Sequence, residues 1–201
     1  MIIRKLFKFE GAHIVRNCSS ERCKHSIHGH SYVVELFFTS KGLDNGQMVM
    51  DFGLMKGTIK DFIDGFDHAY SMWTKESDEF KSFMKENSDR WIEMPVSPSA
   101  EAYSLMFLYV VDKIIKATNF NNGEKDVEVS SVRVHETTTG YAESFRDDLK
   151  YFDFHFNLDD IVLSDGIINE FKDPKMYEKL INFTKNGGKK PFINEVVEQQ
   201  V

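Results

Sequence analysis

Apolar and polar residues alternate along 2–10 and again along 31–39, a period of two that predicts two β-strands with one buried face each. A polar loop carrying Cys18, Cys23 and His25 separates them. Gly42 to Gly46 reads as a turn, and Met48 to Phe52 as a short extended piece. From Leu54 to Phe66 the period changes, with Met55, Ile59, Phe62, Ile63 and Phe66 recurring at helical spacing. Residues 75–90 crowd Lys, Glu, Asp and Ser around Phe80, Phe83 and Met84, which predicts a solvated short helix or an insertion. Ser97-Pro98 offers a hydroxyl N-cap and a proline first turn, so a second helix is expected to run to about Ala117. That helix would bury Ala102, Leu105, Met106, Val110 and Ile114. After a loop at 119–124, residues 127–136 and 141–156 predict a hairpin across Thr139-Gly140, with Phe152, Phe154 and Phe156 on one face. The order strand-strand, helix-helix, strand-strand is that of an α+β domain with helices on an antiparallel sheet. It spans 1–156, and 157–201 read as a C-terminal extension with one helix near 174–184.

Composition narrows the partners. The formal charge of -7 argues against a nucleic-acid-coating surface, though one phosphorylated small molecule in a locally basic pocket stays compatible with it. No apolar run reaches the length of a membrane span, and the N-terminus lacks a long apolar leader core, so cytoplasmic residence is the expectation. Two cysteines are too few for a disulfide scaffold.

The chemistry concentrates in three histidines. His28 and His30 are two apart in an extended run and present their rings to one face, with Gly29 leaving room for another chain or a ligand. His13 ends the preceding strand. If the strands pair antiparallel, three imidazoles converge, the donor set of a catalytic zinc with its fourth position open. A lone histidine is ordinarily a hydrogen-bonded core residue; three that converge favour Zn2+. A rival metal pattern exists, because Cys18, Cys23, His28 and His30 form a C-x4-C-x4-H-x-H string suited to a closed structural zinc knuckle.

Other residues have a bland and a chemical reading. Cys23 sits between Arg22 and Lys24, a basic setting that favours a thiolate, or it is an inert loop thiol. Asp67-His68 is either a surface pair or two members of a proton relay with Cys23. Glu136 closes an apolar strand, where its carboxylate is solvated or accepts two N–H bonds from an amino-pyrimidinone edge. Glu101, on the first turn of the second long helix, complements the helix dipole.

Taken in order, Phe9-Glu10-Gly11-Ala12-His13, Cys23 ahead of His28-Gly29-His30-Ser31-Tyr32, Asp51-Phe52, Asp67-His68, Pro98-Ser99-Ala100-Glu101 and His135-Glu136-Thr137 resemble the 6-pyruvoyl-tetrahydropterin synthase family with its bacterial branch, the 6-carboxytetrahydropterin synthases. The resemblance covers roughly 1–145. It implies a tunnelling fold, a four-stranded antiparallel sheet with two helices between the strand pairs, which oligomerises into a barrel. The usual assembly is a hexamer, a dimer of trimers, with active sites between subunits. It implies 7,8-dihydroneopterin triphosphate as substrate, Zn2+ on His13, His28 and His30, and proton transfer by Cys23, Asp67 and His68. Glu136 would anchor the pterin, with Glu101 and Ser99 as further substrate-binding candidates. Lys24, Arg16 and Arg133 are candidates for the triphosphate. The expected reaction is carbon–carbon lysis to 6-carboxytetrahydropterin with release of acetaldehyde and triphosphate, feeding queuosine synthesis. The alternatives are the pyruvoyl product by triphosphate elimination, or a non-catalytic zinc-stabilised binding module. The charged segment near 74–94 and the extension after Phe156 exceed the compact bacterial pattern.

Overall fold

A computed structural model describes residues 1–151 and 156–194. β1 (Ile2–His13) and β2 (His28–Thr39) both extend through the glycine-containing ends where the alternation fades. They pair antiparallel in unbroken register, from Ile2 opposite Thr39 to His13 opposite His28. Part of the loop between them is a short helix, α1 (Glu21–His25). Residues 48–52 form bends and a turn rather than a strand. The single helix expected over 54–66 is two, α2 (Gly53–Lys56) and α3 (Thr58–Asp64), because Gly57 leaves the helical region at φ -113°, ψ -114°.

The segment that follows departs most from expectation. β3 (Ala69–Trp73) and β4 (Trp91–Met94) flank α4 (Asp78–Asn87), and the sheet has seven strands rather than four. β3 pairs in parallel with β1, and β4 in parallel with β3. Neither alternates clearly in sequence, because β3 is covered on both sides. Ala69 belongs to the main core, whereas Tyr70 and Met72 pack with Ile14 and Met84 in a second cluster beneath α4.

α5 (Ala100–Lys116) is the expected long helix, but its N-cap is Ser99, whose hydroxyl accepts from the Ala102 amide, and not Ser97. The loop expected at 119–124 is preceded by a short strand, β5 (Thr118–Phe120). β6 (Glu128–His135) and β7 (Tyr141–Phe145) form the antiparallel hairpin. β7 ends earlier than the expected 156. The Phe145 amide donates to the Asp148 carboxylate at 2.7 Å, and α6 (Asp148–Tyr151) begins there. The alternation at Phe152 and Phe154 lies outside the described residues.

Beyond it come a 3-10 turn at Leu158–Asp160, β8 (Val162–Leu163), α7 (Asp165–Ile168), α8 (Met176–Asn186) and β9 (Phe192–Asn194). β8 pairs with β4 at one end of the sheet, and β9 with β5 in a separate two-stranded sheet. The strand order is β7-β6-β2-β1-β3-β4-β8. α3 and α5 lie over the face that carries Phe7, Phe9, Tyr32, Val34, Leu36 and Phe38, and these side chains share one core with Phe62, Phe66 and Phe107. The histidine-bearing ends of β1 and β2 therefore sit in mid-sheet, beside the start of α5.

Candidate metal centre

Antiparallel register places His13 directly opposite His28, and Gly11 opposite His30. Period-two geometry then puts all three rings on the helix-covered face, in line with Phe9 and Tyr32. Gly29 makes this possible. A Cβ there would stand 2.9 Å from the Gly11 carbonyl oxygen, so of the two expected uses of that room, another stretch of chain or a ligand, the neighbouring strand takes it. The ring centroids are 4.5 Å apart for His13 and His28, 5.3 Å for His13 and His30, and 5.2 Å for His28 and His30. One nitrogen from each lies within 4.8 Å of the other two.

The ring nitrogens are sorted by what surrounds them. His13 is fully buried, and its Nδ1 lies 2.5 Å from the Pro98 carbonyl, which can only accept. His28 Nδ1 lies 2.9 Å from the Ser26 carbonyl. In both rings Nδ1 therefore carries the proton, and Nε2 keeps its lone pair for an electrophile. His30 Nε2 is buried and has no hydrogen-bond partner. An orphaned imidazole nitrogen beside two lone-pair nitrogens fits a divalent ion with nitrogen preference. Burial drives the His13 pKa down, the Pro98 carbonyl opposes this, and His28 and His30 add repulsion. The net value is about 4, so the ring is neutral near pH 7 and free to ligate.

Glu136 stands just past the end of β6, with Oε1 3.6 Å from His13 Nε2 and 3.8 Å from His30 Nε2. Its carboxylate closes the centre with negative charge and remains partly open to solvent. Tyr32, two residues after His30 on the same face, brings its hydroxyl to 3.2 Å from His13 Nε2. Burial raises the Tyr32 pKa, keeping it a neutral phenol. Strand alternation could have singled out Tyr32; no sequence signal marked the Pro98 carbonyl, because it depends on where α5 begins.

Asp67 and His68 form a pair, with Asp67 Oδ2 2.9 Å from His68 Nδ1. Burial pushes the Asp67 carboxyl up, but the Glu10 amide and His68 outweigh it and hold the pKa below the usual value. His68 lines an open groove of about 480 Å³ that His30, Ser31 and Tyr70 also line. Cys23 lies half-exposed on α1, and among the described residues no hydrogen bond joins its thiol to the histidines or to the Asp67-His68 pair.

The knuckle pattern is not assembled, since the metal-capable group among the described residues holds His13, His28 and His30 without Cys18 or Cys23. Cys18 Sγ instead faces the Ser20 carbonyl at 3.3 Å. Ser99 caps α5, and Glu101 is exposed on its first turn. The basic candidates carry acidic partners: Arg16 with Glu76 at 2.7 Å, Lys24 with Glu21 at 2.5 Å, and Arg133 with Glu143 at 2.9 Å.

A family model described as 6-pyruvoyl tetrahydropterin synthase matches residues 2–147. A Helicobacter pylori (strain J99) protein named 6-carboxy-5,6,7,8-tetrahydropterin synthase is 46% identical over 187 residues, covering 92% of this chain and 94% of its own. Among solved structures, an uncharacterized protein from Wolinella succinogenes superposes with a TM-score of 0.57 at 21% identity, covering 73% of this chain and 98% of its own. A 6-pyruvoyltetrahydropterin synthase from Plasmodium vivax superposes with a TM-score of 0.52 at 19% identity and the same coverage. At these identities the structures speak to fold alone.

Proposed function

Because the chain belongs to the 6-pyruvoyl tetrahydropterin synthase family, we propose that it is a 6-carboxy-5,6,7,8-tetrahydropterin synthase, a carbon–carbon lyase acting on 7,8-dihydroneopterin triphosphate. The observation that carries the choice of product is the 46% identity, along nearly the whole of both chains, to relatives named for the carboxy product. The products are 6-carboxytetrahydropterin, acetaldehyde and triphosphate, the first feeding queuosine synthesis. Residues 1–156 form the catalytic domain and 157–201 its extension, in a cytoplasmic hexamer. No helix among the described residues is long and apolar enough to cross a membrane.

His13, His28 and His30 would hold Zn2+, the first two offering the Nε2 left unprotonated and the third its orphaned Nε2. When bound, that ion supplies Lewis acidity toward a side-chain oxygen of the substrate. Cys23 removes a proton from the side chain. His68 returns one through Nε2, because its Nδ1 is fixed to Asp67. Glu136 accepts N–H bonds from the pterin edge and keeps the side chain over the histidines, a positioning effect, with Ser99 and Glu101 as further contacts at the start of α5. In the proposed hexamer a neighbouring subunit completes the site.

Incubating zinc-replete protein with 7,8-dihydroneopterin triphosphate tests the reading. Acetaldehyde should appear in equal amount to a carboxylated pterin. A pyruvoyl product without acetaldehyde would assign the chain to the other branch.

A further inference from the structure

Arg90 lies where the 74–94 segment re-enters the sheet, one residue before β4, and its side chain turns back onto the turn that follows α3. Its Nε donates to the Asp67 carbonyl at 2.7 Å, and one terminal nitrogen donates to the carbonyls of Asp64 at 2.9 Å and Gly65 at 3.4 Å. The remaining nitrogen pairs with Glu170 at 2.5 Å. Capping the end of α3 would require only the bonds to Asp64 and Gly65. The bond to Asp67 reaches the residue that orients His68. His68 has φ +55°, a left-handed backbone that a side-chain-bearing residue keeps only where its surroundings enforce it. β1 grips the turn from the other side. The His68 amide donates to the Glu10 carbonyl at 2.7 Å, and the Glu10 amide donates to Asp67 Oδ1 at 2.8 Å.

The extension, in turn, holds Arg90. The Ser164 amide donates to the Trp91 carbonyl at 3.0 Å, and the Trp91 amide donates to the Ser164 hydroxyl at 3.2 Å. Gly166 lies so close to residue 89 that a Cβ there would stand 2.4 Å from the Asp89 carbonyl oxygen. Gly65 likewise admits Ile167, whose Cγ2 would stand 2.9 Å from a Cβ at that position. The two parts of the chain without an assigned role thus meet at Arg90.

We propose that Arg90 is a positioning residue for the Asp67-His68 pair, and that the 74–94 segment and the C-terminal extension form the brace that keeps it in place. This deepens the proton-transfer reading of that pair and rests on it.

The test is a double-mutant cycle on the zinc-loaded protein, with Arg90→Ala, Arg90→Lys, His68→Ala and His68→Ala combined with Arg90→Ala. Arg90→Ala should lower kcat roughly ten- to a hundredfold, with KM and zinc content held, as expected for a displaced proton donor. Arg90→Lys should recover part of the loss, and adding Arg90→Ala to His68→Ala should cost nothing further. If the two losses multiply, or if Arg90→Ala keeps full kcat while His68→Ala loses it, the proposal fails. Should Arg90→Ala not fold, Arg90→Lys and Glu170→Gln carry the same comparison. Hydrogen exchange at the His68 amide separates the two layers of the argument. Faster exchange there in the Arg90 variants, with β1 and β2 amides unchanged, supports the brace even if His68→Ala retains turnover, an outcome that removes the proton-transfer reading alone. Unchanged exchange at His68 overturns the brace.

Discussion

His13 is fully buried, neutral, tethered through Nδ1 and aimed through Nε2, and each property follows from its position opposite His28 and beside the start of α5. Its lowered pKa fixes the sign of a pH effect. An unfolded chain protonates this ring near the ordinary 6.5, whereas the folded chain resists until about 4. Between those values the unfolded state binds more protons, so the metal-free protein loses stability as pH falls through that window. Urea midpoints of metal-free protein at about pH 7.5 and about pH 5 should show this loss, and His13→Gln should show less of it. Equal slopes in the two proteins would place the effect elsewhere. The convergence of the three histidines was legible in the sequence because strand alternation assigns a face without any tertiary knowledge. The Pro98 carbonyl and the commitment of Arg16 to Glu76 were not, since both depend on contacts between residues 60 to 85 positions apart.

At the scale of elements, alternation located β1, β2 and β6 because each has one buried and one open face over much of its length. It missed β3, which is short and buried along nearly all its length, and β4, which is shorter still; the two pair in parallel through the intervening α4. β7 was overextended because no periodicity announces the Asp148 carboxylate that starts α6. The pairing of β1 with β2 is what sets the histidine geometry, and Gly29 is its tightest point. Gly29→Val would push its side chain against the Gly11 carbonyl and part the strands beside His13 and His28. The expected outcome is a folded chain whose zinc affinity falls on the order of ten- to a hundredfold, measured by chelator competition. Unaltered affinity would mean the rings do not depend on that close approach.

For the whole molecule, the sheet ends on one side at β7, where Tyr141 and Phe145 are exposed, and on the other at β8, supplied by the extension. The family resemblance anticipated the α+β character and the helices over one face, but not a sheet that grows by parallel strands and the tail. The proposed assembly makes a further statement. The protein should elute at a multiple of the chain mass, and dilution to monomers should abolish turnover while zinc stays bound. A monomer with full turnover would show that one chain holds a complete site. Beneath assembly and chemistry lies the three-histidine centre, and X-ray absorption at the zinc edge interrogates it directly. Zinc-loaded protein should show only nitrogen and oxygen neighbours at about 2.0 to 2.2 Å, with the same spectrum from Cys23→Ala. A sulfur shell at about 2.3 Å, lost on replacing Cys23, would contradict the account.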